Sequence, residues 1–109
     1  MPRLTSREVS LLAELHPHTR GHVLQLLAKV PDLTITSGYR TAARNRAVGG
    51  APQSGHLRGR AVDLTGTLTD LRKAERLCWS LRVGARCTGP EEVLLEDAGR
   101  PGMHLHVAW

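Results

Sequence analysis

Residues 37–63 read SGYRTAARNRAVGGAPQSGHLRGRAVD, and residues 104–106, at the far end of the chain, read HLH. In the first stretch His56 and Asp63 stand seven residues apart in glycine-rich surroundings. A turn eased by Gly59 can bring both toward one point. In the second stretch the two-residue period of a strand sends His104, His106 and Ala108 to one face and Leu105 and Val107 to the other. A loop His, a strand Asp and a paired His make an incomplete tetrahedral shell for one divalent metal. Hydrolytic zinc sites are built in this way, from three protein groups and a water. Each histidine alone reads more naturally as structural; the combination points to a metal.

Working outward, Thr5-Ser6-Arg7-Glu8 offers a capping box for a first helix carrying Leu11, Leu12 and Leu15, which ends near His16-Pro17. A second helix is expected from Thr19 to Lys29, with Val23, Leu24, Leu27 and Val30 at helical spacing. Leu33-Thr34-Ile35-Thr36 reads as a strand, Thr41 to Val48 as a short helix stopped by Gly49-Gly50, and residues 51–55 as loop. Ala61 to Leu64 returns to strand. A third substantial helix, capped around Thr67 to Asp70, gathers Leu71, Ala74, Leu77, Cys78 and Leu81 on one face. It ends before Gly84 and a Thr88-Gly89-Pro90 turn. Val93 to Glu96 and Met103 to Trp109 form a hairpin across Gly99-Arg100-Pro101-Gly102. The class expected is α+β, with a small antiparallel sheet and a C-terminal hairpin packed against helices.

The 109 residues read as one domain, residues 1–109, whose core must be made from Leu, Val, Ile and Ala because Phe is absent. No apolar run nears the ~20 residues of a membrane span, and the N-terminus lacks the apolar core of a secretory signal, so synthesis in the cytoplasm without a signal peptide is expected and no membrane partner. The formal charge is +5, and 13 of the 15 basic residues are Arg. Such a surface is either simply solvated or attracted to a polyanion, and base-stacking aromatics are too few to favour nucleic acid. His16, His18 and His22 lack an acidic partner, and Pro17 breaks any helix through His16, so solvated or capping roles are expected. Cys78 and Cys87 are not in a C-x-x-C spacing and read as buried thiols, with a disulfide open if the protein is exported.

SGHLRGRAVD resembles the S-x-H-x-x-G-x-A-x-D signature of the M15 family of zinc D-Ala-D-Ala carboxypeptidases and L-alanyl-D-glutamate endopeptidases. SGYRT, Asn45 and VGGAP resemble that family's approach to the signature, and HLHVAW its closing strand, so the likeness spans residues 34–109. It implies a hedgehog/D-Ala-D-Ala peptidase-like fold, with zinc held by His56, Asp63 and His106. It also implies that Arg40 contacts substrate or the developing oxyanion and that Ser54 holds its loop or reaches substrate. Arg58 and Arg60 fall at variable positions.

The proton acceptor is less determined. Many family members carry an acid three residues before the last zinc-binding His, where this chain has Met103. His104 suits the role, since an imidazole with a pKa near ~6.5 accepts a proton at neutral pH. With a turn at residues 99–102, Asp97 lies across from His104 and orients it or acts itself, and a slip of one residue would substitute Glu96. The resemblance implies a zinc metallopeptidase, of D,D-carboxypeptidase or L,D-endopeptidase type, that cuts the peptides of bacterial peptidoglycan. A phage endolysin or virion-associated lysin is the expected setting, acting at the cell wall after release or carried in the particle. The alternative is a non-catalytic virion or tail component, partnered by other virion proteins, that keeps the fold and the metal.

Overall fold

The computed structural model describes residues 4–51, 54–81 and 90–109. Cys87, Gly84 and the Thr88-Gly89 turn lie outside them, as do Pro52 and Gln53 of the expected loop.

Helix α1 (Ser6–Ala13) starts at the capping box: Thr5 Oγ1 accepts the Glu8 N–H, and the Glu8 carboxylate accepts the Thr5 N–H. Glu8 is buried because its other oxygen also accepts the Ile35 N–H at 3.1 Å, so the cap ties the helix to the first strand. Helix α2 (Pro17–Lys29) begins two residues earlier than the pattern suggested. Pro17 occupies its first turn, where no N–H is needed, and His16 is the cap, accepting the His18 N–H. Arg20 reaches back to the carbonyls of Leu12, Ala13 and Leu15, satisfying the open end of α1.

Strand β1 (Thr34–Ser37) is followed by helix α3 (Ala42–Ala47), a 3-10 turn (Gly55–Arg58) and strand β2 (Ala61–Thr65). Helix α4 (Leu68–Leu81) then leads to β3 (Glu92–Glu96) and β4 (His104–Ala108). The four strands form one antiparallel sheet in the order β1-β2-β4-β3. The expected α+β class, with its small antiparallel sheet and C-terminal hairpin, is what the chain adopts.

The pleat divides the sheet into two unlike faces. Val62, Leu64, Val93, Leu105 and Val107 point into the core, where they meet Leu12, Leu15, Val23, Leu27, Leu71, Ala74 and Cys78. At ~25 cal/mol per Å² of apolar surface, this helix-covered side is the main source of stability. The opposite face follows from the register. Asp63 pairs with His106, Leu94 with His106, and Glu96 with His104. Asp63, His104, His106, Glu92, Leu94 and Glu96 therefore share one side.

That register corrects one expectation. Glu96, not Asp97, stands across from His104. The hairpin loop runs over residues 97–103 instead of 99–102, because Asp97 leaves the strand with φ +53° and its carbonyl accepts the Arg100 N–H at 2.9 Å. A residue in that left-handed conformation cannot continue the ladder.

Candidate metal centre

His56 was expected in irregular loop and lies instead in the 3-10 turn. Ser54 caps this turn, its Oγ accepting the His56 N–H at 3.2 Å. Gly55 lets the turn settle on the sheet: a Cβ there would lie 3.2 Å from that of Ala61 and 3.4 Å from that of Ala108. Gly59 ends the turn at φ +66°, packed where a side chain would meet the backbone N of His16 at 3.0 Å. The chain is thereby pinned between the sheet and the α1–α2 junction. His56, 1 % exposed, is driven down onto Asp63.

Asp63 comes from the middle of β2, beside an irregularity in β1 that places Ser37 opposite it. Such a bulge redirects the strand, and the following Gly38 carbonyl lies 2.6 Å from His56 Nδ1. A carbonyl only accepts, so Nδ1 donates to it, and Nε2 is the nitrogen turned toward Asp63. Nε2 is buried without a hydrogen bond, although Asp63 Oδ1 is only 3.3 Å away.

His106, from β4, completes the group. Its Nδ1 lies 3.1 Å from the same Asp63 Oδ1, and its Nε2 lies 2.7 Å from Glu92 Oε1. One ligand atom each from His56, Asp63 and His106 falls within 4.8 Å of the others. These three are the residues named from the sequence, and the fold brings them together. Burial pushes the Asp63 carboxyl upward, but His106 and His56 beside it outweigh this and hold it well below the usual carboxylate range. Its second oxygen is engaged too, accepting from Arg40 Nη2 at 3.0 Å. A buried carboxylate oxygen with an imidazole nitrogen on either side, one of them buried without a hydrogen bond, is a donor set that suits a cation. Two nitrogens and one oxygen, with a fourth position left open, suit zinc.

The remaining candidates differ in placement. Arg40 lines the cleft, but it is tied to Asp63 and donates from Nε to Ser37 Oγ at 3.2 Å. His104 stands on the same wall, with Nδ1 2.8 Å from the Gly102 carbonyl and Nε2 3.9 Å from Glu96 Oε2. Asp97 does not line the cleft. Met103 packs against the core, and its sulfur accepts the Gly99 N–H at 3.2 Å. Glu92 was missed in the sequence; strand alternation puts it on the face of Glu96, but only the pairing with β4 reveals its reach to His106.

The cleft holding these groups measures about 560 Å³, with exposed Val48 and Leu94 among its lining. A second cavity of about 500 Å³, between α2 and α4, is lined mainly by apolar atoms and contains none of the convergent donors. His22, one of the three early histidines, stacks there on Trp109 with 5.5 Å between ring centres.

The family model of peptidase M15 matches residues 14–95. The chain belongs to the peptidase M15 family. Members of this family are metallopeptidases, typically of zinc. The M15 match takes in His56 and Asp63 and stops short of His104 and His106; the sheet register and the distances place His106 beside the first two. No curated protein matches the chain. No helix among the described residues is long and apolar enough to cross a membrane.

Proposed function

We propose that this M15 chain is a zinc-dependent peptidase that hydrolyses peptide bonds of bacterial peptidoglycan, in the setting of a phage endolysin or virion-associated lysin. The supporting observation is the convergence of His56 Nε2, Asp63 Oδ1 and His106 Nδ1, each imidazole with its other nitrogen already engaged. Zinc at this point would polarise a scissile carbonyl and make water more acidic.

The protein's own groups supply the rest. His104 takes the proton of the attacking water at Nε2 and returns it to the leaving amine, while the Gly102 carbonyl holds its Nδ1–H and so fixes the ring. Glu96, across the strand pair, steadies the imidazolium formed in between. Arg40 has five N–H donors, and those not turned to Asp63, Ser37 and Asn45 are available to negative charge growing on the carbonyl oxygen.

One observation favours the second reading, a non-catalytic virion component: the position where many relatives carry an acid is Met103, half-buried against the core. Zinc analysis together with release of free amino groups from purified peptidoglycan separates the two. His104→Ala is expected to keep its zinc and lose ~10²–10⁴-fold in rate. Glu96→Gln should lose less, and Asp97→Asn should cut at the wild-type rate. Fully zinc-loaded wild type that cuts no peptidoglycan would leave the structural reading standing.

A further inference from the structure

Glu92 lies outside the three-atom cluster and touches it from behind. Its partner in the ladder is Ala108, so it reaches His106 diagonally across the strand pair, a separation of ~7–8 Å between backbones that a long side chain spans. The contact is Oε1 to Nε2, at 2.7 Å.

An imidazole that ligates a metal through one nitrogen keeps a proton on the other, and the acceptor facing that proton decides which nitrogen is which. For His56 the acceptor is the Gly38 carbonyl at Nδ1, so Nε2 faces the cluster. For His106 it is Glu92 at Nε2, so Nδ1 faces the cluster. The two rings are tilted by 58° with centres 5.1 Å apart, and they present unlike nitrogens to one point. Backbone packing fixes the first ring. On the side away from the cluster, one side chain, Glu92, holds the second.

Resting on the metal reading above, we propose that Glu92 is a positioning residue, which holds His106 with Nδ1 toward the metal and sets how tightly the metal is kept. The Glu92 side chain is 53 % exposed, so it contributes little to the core and can be exchanged without disturbing the fold.

The test uses the whole chain as wild type, Glu92→Gln and Glu92→Ala. Zinc affinity is measured by competition with a chromophoric chelator, the visible absorption is recorded after loading with Co²⁺, and thermal unfolding is followed for the metal-stripped proteins. Glu92→Ala should bind zinc about 10–100-fold more weakly, shift the Co²⁺ bands, and melt like wild type when metal-free. Glu92→Gln should lose less, because its amide oxygen still accepts the Nε2–H. Equal zinc affinity and unchanged Co²⁺ bands in Glu92→Ala would overturn the proposal, as would a metal-free melting loss as large as the loss in the loaded protein. Wild type that binds neither metal would overturn the metal reading itself, and this inference with it.

Discussion

His106 sits between two carboxylates, and this gives the site a definite response to acid. The hydrogen bond to Asp63 raises the His106 pKa above the ordinary 6.5; burial opposes this, and the charges of Asp63 and Glu92 add to the rise. In the metal-free protein the ring is therefore protonated at both nitrogens up to a higher pH than a free imidazole. A metal must displace the Nδ1 proton. The sign follows: above the raised pKa the proton does not compete, and below it affinity falls by about tenfold per pH unit. Isothermal titration with zinc in buffers of differing ionisation enthalpy should show proton release on binding, and the weakening should begin above pH 6.5. The Cys78 thiol has no such part, since burial and the neighbouring Glu75 push it up to about 11.

At the scale of elements, the 3-10 turn depends on small residues beneath it. Gly55→Val would drive a branched side chain against Ala61 and Ala108, and overpacking of this kind costs ~1–3 kcal/mol. The expected outcome is a lower melting temperature together with weaker zinc binding, because His56 is lifted away from Asp63. Gly55→Ala, with one carbon at 3.2 Å from Ala61 Cβ, should do less. The sequence makes part of this legible. Thr5 and Glu8 announce the first helix because a capping box is local, and the alternation at His104 to Ala108 announces the last strand for the same reason. His56 and Asp63 stand out as candidate ligands from their spacing and motif. Three features escape such reading because they depend on what lies next door. Glu8 serves Ile35 from 27 residues away, the left-handed Asp97 lengthens the hairpin loop, and Glu92 meets His106 only once β3 has paired with β4. Register decides the last strand's carboxylate partners, and nothing within either strand dictates it to the residue.

At the scale of the molecule, the sheet is apolar toward the helices and polar toward the cleft, so the cleft side gains little from burial of carbon. A metal held there joins the 3-10 turn and the adjoining β2 to β4, at the far end of the chain. Zinc at 100 times its dissociation constant should stabilise the fold by about 2.7 kcal/mol, a rise of ~10 °C or more for a domain of this size. Differential scanning fluorimetry with and without a chelator checks it. His56→Ala should abolish the increment.

The pairing of Arg40 with Asp63 has a further consequence, for discrimination among ions. With Oδ2 claimed by a guanidinium, the carboxylate offers a cation a single oxygen. Calcium gathers six to eight oxygen ligands, often with both oxygens of a carboxylate, and two imidazole nitrogens beside one oxygen serve it poorly. The donor set therefore favours zinc over calcium at this point, whatever the relative abundance of the two.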